Sequence, residues 1–201
     1  MKAIARGEIL GLADYETVRE RFRNRVIAEK KIRRVSVGPK VSVVFENRDT
    51  VLLQIQEMLR TERITRAASV QHEIDTYSAL LPGTDELSCT LMVEIADHAE
   101  RDAFLQAAKG LSKHVWVVAV TRRIAARSNE PSRDGPEADR TTAVHYLKFP
   151  LPSDVADALR ARASGNGSTT ELALEIDHPA YAARADLRLE TLVALGEDLQ
   201  A

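Results

Sequence analysis

Cysteine is almost absent from the 201-residue chain. Cys89 is the single one, so no internal disulfide can form and no metal site built on cysteine pairs exists. Aromatic residues make up 4% of the sequence, too few for a platform on which nucleic-acid bases stack. Apolar runs such as Val115 to Val120 fall far below the ~20 residues needed to cross a bilayer. Met1 to Gly11 holds no apolar stretch of the kind that marks a secretory leader. A cytoplasmic protein without a membrane span is expected.

Signatures of catalysis are missing too. There is no Gly-x-Gly-x-x-Gly, no phosphate-binding loop and no His-Glu-x-x-His. His72, His98, His114, His145 and His178 stand apart, without the repeated Glu-x-x-His of helical carboxylate sites. The pattern indicates no metal ligand set and no particular cofactor, and leaves open whether the chain is an enzyme. One looser grouping remains, since folding can bring His72, Glu73 and Glu57 together from neighbouring helices. Cys89 falls among inward-facing strand residues, where a thiol is unactivated.

Charge is plentiful and unevenly spread. Net charge is −2, yet residues 1–66 carry 15 Lys+Arg against 9 Asp+Glu, and the remainder 13 against 21. The basic excess concentrates in Arg19, Arg21, Arg23, Arg25, Lys30, Lys31, Arg33 and Arg34. In an acidic chain with few aromatics this cluster argues against nucleic acid and for a solvated helix face or a docking patch for an acidic protein. Opposite charge in the two halves also permits head-to-tail pairing of two copies, so a homo-oligomer is open.

Hydrophobic periodicity predicts an α+β fold. Asp14 caps a helix running to about Lys31, with Tyr15, Val18, Phe22 and Val26 as its apolar stripe. Arg34–Gly38 and Lys40–Glu46 form a hairpin about Gly38-Pro39. Two helices follow, one carrying Val51, Leu52, Ile55, Met58 and Leu59, the next Val70, Ile74, Tyr77 and Leu81 before Pro82-Gly83. Residues 1–82 are therefore a helical part with one β-hairpin.

Residues 83–201 repeat a strand–helix–strand pattern. Leu87–Ile95, a helix capped by Asp97 to about Ala108, and Val115–Val120 make the first unit. Val144–Phe149, a helix capped by Ser153 to about Ala163, and Glu171–Ile176 make the second. The order β-α-β-β-α-β predicts a ferredoxin-like part, with both helices on one face of an antiparallel sheet. A C-terminal helix is expected from about Ala185 to Leu199. Between the units, 128–140 is rich in Pro, Gly, Ser and charge and reads as a flexible loop. The two parts are expected to form one compact unit.

Several segments resemble a bacterial family of unknown function. They are Phe22-Arg23 through Val26-Ile27 with Lys30-Lys31 and Arg33-Arg34-Val35; Phe45-Glu46; and Gln54-Ile55-Gln56-Glu57-Met58-Leu59-Arg60 with Glu62. Further on come Leu80-Leu81-Pro82, Glu86-Leu87-Ser88, Thr90-Leu91-Met92, Ala143-Val144-His145-Tyr146-Leu147 and Asp177-His178-Pro179-Ala180-Tyr181. The resemblance implies members often encoded beside a rubrerythrin and an iron–sulfur oxidoreductase of the heterodisulfide-reductase type. That company implies a link to oxidative stress or electron transfer, and a protein partner from such a redox system.

Two sets of residues are candidates for function. Glu57 and Arg60, three apart on a helix, can meet on one face as an anion-binding arginine held by a carboxylate, or as a plain surface ion pair. With His145 on the apolar side of its strand and His178 and Tyr181 just past the end of another, they form the candidate ligand site. Each histidine has a bland reading as a satisfied structural residue, and Pro179 with Tyr181 as the shaping of a turn. Arg23, Lys30, Lys31, Arg33 and Arg34 form the candidate partner surface. The favoured function is an accessory, partner-binding protein; the alternative is a small-ligand- or metal-dependent enzyme whose site lies between the helical part and the sheet.

Overall fold

Strands that each have one apolar face need an apolar surface to cover it, and here sheet covers sheet. The computed structural model describes residues 2–120, 122–129, 138–166 and 170–200. Its helices are α1 (Leu12–Arg33), α2 (Arg48–Thr61), α3 (Ala67–Ser78), α4 (His98–Ala107), α5 (Ser153–Ala163) and α6 (Leu189–Asp198). Its strands are β1 (Arg34–Val37), β2 (Val41–Phe45), β3 (Glu86–Val93), β4 (Val115–Ala119), β5 (Arg122–Ala125), β6 (Arg127–Ser128), β7 (Val144–Pro150), β8 (Leu172–His178) and β9 (Tyr181–Asp186). The expected α+β class, with a helical N-terminal part, a hairpin and a C-terminal helix, is what forms.

The strands divide into a five-stranded sheet of order β1-β2-β3-β7-β6 and a four-stranded sheet of order β5-β4-β8-β9. All pairings are antiparallel. Both strand–helix–strand units are present, as β3-α4-β4 and β7-α5-β8, but they do not build the single ferredoxin-like sheet expected from their order. β3 pairs with β7 in one sheet and β4 with β8 in the other, so α4 and α5 carry the chain between sheets. Apolar surface supplies the reason. α4 buries Phe104 and Leu105, and α5 buries Val155, Ala156 and Leu159. Two such narrow stripes leave much of Leu87, Leu91, Leu147 and Phe149 uncovered, whereas Val115, Val117, Leu172, Leu174 and Ile176 of the second sheet complete one continuous core with them.

The outer face of the five-stranded sheet is covered by the N-terminal helices, which is why every residue of β2 is buried. A second core lies among these helices, formed by Val51, Ile55, Leu59, Val70 and Ile74 with Tyr146 of β7 packed against it. Asn47 starts α2 by accepting from the Thr50 amide at 3.0 Å, and Asp97 starts α4 by accepting from Glu100 at 2.7 Å. Other ends differ from expectation. α1 begins at Leu12, so Asp14 sits in its first turn instead of capping it. Pro152 holds the cap position of α5 and Ser153 is its first helical residue. Residues 181–186, expected in part to begin the C-terminal helix, form β9. Tyr181, Ala183 and Ala185 alternate with the more exposed Ala182, Arg184 and Asp186, and pairing with β8 overrides the helix preference of alanine. Of the expected loop 128–140, residues 130–137 lie outside the described ones.

A buried ion pair joins the first helix to the last. Arg33, 3% exposed, donates Nη1 to Asp198 Oδ2 at 2.5 Å and Nη2 to Oδ1 at 2.9 Å, with Glu29 at 3.3 Å from its Nε. Burial opposes the charge on Arg33, and the two carboxylates more than offset it, holding the guanidinium protonated. Removing one partner strands the other, so Asp198→Ala is expected to cost about 3–5 kcal/mol of stability in urea unfolding. A different effect is expected at Val120. Just past Ala119, which pairs with Arg122 of β5, Val120 takes φ 52 and is 80% exposed. A β-branched residue is strained in that region, and Val120→Asn is expected to raise stability by about 1 kcal/mol in the same measurement.

Candidate functional site

The motif Gln54 to Arg60 lies on α2, facing the start of α1. Glu57 and Arg60 do not pair with each other. Glu57 accepts from the Tyr15 hydroxyl at 2.7 Å and from Nε and Nη2 of Arg19 at 2.8 Å, while Arg60 Nε donates to Glu16 at 2.5 Å. Gln56 is buried and grips Leu10 from both sides, accepting from its amide at 2.7 Å and donating to its carbonyl at 3.3 Å. Hydrogen bonds from Arg19 pull the Glu57 carboxyl below its ordinary range against an opposing effect of burial. Burial, with the Glu57 acceptor, pushes the Tyr15 hydroxyl well up. The polar groups of this motif thus fasten residues 10–19 onto α2. Beside them lies a hollow of about 310 Å³ lined by Lys30, Leu53, Gln54, Glu57, Met58 and Thr61.

The other three ligand candidates gather elsewhere, around α4. His145 is buried on β7 with Leu147 and Phe149, as its alternation predicts, and its Nε2 lies 3.0 Å from the Thr141 hydroxyl. Thr141 in turn donates its amide to the Leu105 carbonyl of α4 at 3.0 Å. His178 Nδ1 accepts from the Ala180 amide at 3.1 Å, which leaves Nε2 as the donor to the Lys109 carbonyl at 3.0 Å. Tyr181 sets its ring edge-on to Phe104 of α4 at 5.4 Å and donates its hydroxyl to the Val37 carbonyl at 2.6 Å. It also accepts from the Lys40 amide at 3.2 Å. Gly38, at φ 73, has no room for a side chain because a Cβ there would stand 2.5 Å from this hydroxyl.

The partner candidates separate as well. Arg23 and Lys31 are exposed, and Lys30 is half-buried at the hollow beside Glu57. Arg34 is exposed and pairs with Glu94 at 2.7 Å. Arg33 is not on the surface: the arc of α1 that carries Tyr15 and Val26 inward carries Arg33 inward too, to Asp198. The expected apolar stripe of α1 is only partly covered. Tyr15 and Val26 are fully buried, whereas Val18 is 42% exposed and Phe22 has Arg25 stacked over its ring at 5.2 Å.

One polar centre is new. Asp177 Oδ1 receives Trp116 Nε1 at 3.0 Å and lies 3.1 Å from His114 Nδ1, while Oδ2 receives Arg123 Nη2 at 2.6 Å. Arg123 covers the Trp116 ring at 4.3 Å, and His114 stands edge-on to His178 at 5.0 Å between ring centres. The sequence placed Asp177 in a resembling segment, but the partners come from β4, β5 and the turn before β4, which no local spacing connects. Among the described residues no group of three or more His, Cys, Asp or Glu side chains is arranged to hold a metal ion. Cys89 is buried, and burial together with nearby Glu46 pushes its thiol well above the ordinary range. No described helix is long and apolar enough to cross a membrane.

A family model for proteins of unknown function, DUF3501, matches residues 3–199. The chain belongs to the DUF3501 family. A crystal structure from Burkholderia pseudomallei K96243, described as a novel protein of unknown function, is similar over the whole fold. The two chains are 31% identical, with 98% of this chain and 100% of that one covered at a TM-score of 0.88. No curated protein matches the chain. Family membership accounts for the resembling segments, several of which are now seen as internal fastenings: Gln56 and Glu57 to the N-terminal segment, Arg33 to Asp198, Tyr181 to the hairpin.

Asp177 generates a pH prediction. Its hydrogen bonds from Arg123 first, then Trp116, hold the carboxyl at about 2, against an unfolded value of about 3.9. A carboxyl depressed on folding contributes stability above its unfolded value and loses it as pH falls towards the folded one. The stability difference between the wild type and Asp177→Asn is therefore expected to be constant near neutrality and to shrink between about pH 4 and pH 2, read from urea midpoints across pH.

Proposed function

We propose that the protein is a cytoplasmic accessory protein that binds a partner protein through the exposed cations of α1, the partner belonging to a redox or oxidative-stress system. The observation that carries this reading is the division among the basic residues. Arg19, Arg25, Arg33 and Arg34 each have a carboxylate, at 2.8, 2.8, 2.5 and 2.7 Å. Arg21, Arg23, Lys30 and Lys31, all on α1, have none among the described residues. Cations left without counter-charge on one element form a field that attracts and orients an acidic surface. Supporting it further, Glu57, Arg60, His145, His178 and Tyr181 spend their polar groups on bonds within the fold, and they fall into two clusters instead of one site. The redox assignment rests on the gene company that the family resemblance implies.

The test is calorimetric titration of the full chain with the rubrerythrin and the iron–sulfur oxidoreductase of its own host. Binding that weakens at least about tenfold in Arg21→Glu/Arg23→Glu, falls with added salt and is unchanged in His178→Ala is the expected outcome. Equal binding by the charge-reversed double variant sinks the docking surface, and failure of both proteins to bind sinks the redox assignment.

A further inference from the structure

We propose that the gap between β1 and β9 takes an extended, acidic segment of the partner, which pairs by its backbone with the free strand edges. The inference rests on the partner-binding reading and specifies the partner's chemistry at the hairpin end of that surface.

β1 ends the five-stranded sheet and β9 ends the four-stranded one, and the two are not paired with each other. At one end Tyr181 bonds Val37 and Lys40 and the close approach at Gly38 brings in Ala183; at the other Arg188, just past β9, donates Nη2 to the Lys31 carbonyl, just before β1, at 3.0 Å. Between these two fastenings lies a groove of about 430 Å³. Val35 and Ser36 form one wall, Ala185 and Asp186 the other, and Lys31, Arg34 and Arg188 stand around the mouth.

An unpaired strand edge presents a row of amide and carbonyl groups that another strand can satisfy. Proteins that leave such an edge uncovered use it to add a strand from a partner, with the backbone supplying affinity and the side chains selectivity. Here selectivity follows from charge. The groove has three cations against one carboxylate. Lys31 has no ion pair among the described residues. Among the described residues the ion pairs of Arg34 and Arg188 are with Glu94 and Glu190, all four being 44% or more exposed at the side chain; Arg34 also donates to the Ser42 hydroxyl and Arg188 to the Lys31 carbonyl. Such exposed pairs are weak enough for an incoming carboxylate to replace. The small side chains of Ser36 and Ala185 leave space for the entering backbone. A segment with acidic residues at alternate positions places them all on one side, towards the cations.

The test uses the full chain and a fluorescent decapeptide of alternating Glu and Thr, followed by anisotropy at low salt and by amide hydrogen exchange. Saturable binding is expected, at least tenfold weaker in Lys31→Glu and absent for the Lys-Thr counterpart, with slowed exchange in both 34–37 and 181–186. No saturable binding overturns the proposal. So does equal binding of a Glu-Thr peptide interrupted by a central proline, or binding without amide protection, since either means charge attraction without strand addition. Lys31→Gln separates loss of a cation from the added carboxylate, and unaltered circular dichroism shows that each variant is folded. A host partner whose binding responds to Arg21→Glu/Arg23→Glu but not to Lys31→Glu removes the groove and leaves the docking surface standing.

Discussion

The arrangement of the helical layer depends on one buried ion pair. Arg33 is the last residue of α1 and Asp198 the last of α6, so the pair ties the first long element of the chain to its final one. Glu29 makes the connection three-way. Its Oε1 receives Arg33 Nε at 3.3 Å and Asn47 Nδ2 at 2.5 Å, and Asn47 is the residue that starts α2. One guanidinium thereby sets where α1 ends, where α2 begins and where α6 docks. The neighbouring bond from the Thr191 hydroxyl to the Ile32 carbonyl, at 2.6 Å, repeats the same attachment one residue earlier on α1. A charge buried this deeply is tolerated only because its donors are satisfied in a fixed geometry, and that requirement makes the junction specific.

The same economy of polar groups runs through the rest of the molecule. Glu46 is buried, makes no ion pair among the described residues and is satisfied instead by the hydroxyls of Thr50 at 2.5 Å and Thr90 at 2.6 Å. Gln56, Glu57, His145, His178 and Tyr181 each hold a turn, a segment or a strand end in place. Their bonds reach across long stretches of sequence, as Leu10 to Gln56 and Val37 to Tyr181 do. These polar groups hold the shape of the fold.

Much of the fold was legible because it is written in short-range rhythm. Alternation marked β3 and β7, a continuous apolar run marked β4, and the three-four spacing marked α2 and α3. Gly38-Pro39 marked the hairpin, and Asn47 and Asp97 marked helix starts. What escaped was decided at long range. The sorting of strands into two sheets depends on how much apolar area each helix offers, which the order of elements does not encode. β9 has the composition of a helix and becomes a strand because β8 has an open side. The ligand candidates were picked as polar groups on regular elements, and the spacing of Glu57 and Arg60 did not reveal that Glu57 pairs with Arg19 and Arg60 with Glu16, since both partners come from α1. Arg33 looked like its basic neighbours, and only its place on the inward arc of α1 distinguishes it.

The passage from β5 to β6 has a mechanical consequence. Residues 122–128 cross directly from the four-stranded to the five-stranded sheet, and the Ala126 amide between them bonds the Val115 carbonyl at 2.9 Å. On that flank the sheets are laced by the chain itself. On the opposite flank, where β1 faces β9, the side-chain bonds between the two strands come from the single hydroxyl of Tyr181. The sandwich is therefore built like a book, with a covalent spine and a fore-edge clasped at its two corners, by Tyr181 at one and by Arg188, Thr191 and Asp198 gripping the end of α1 at the other.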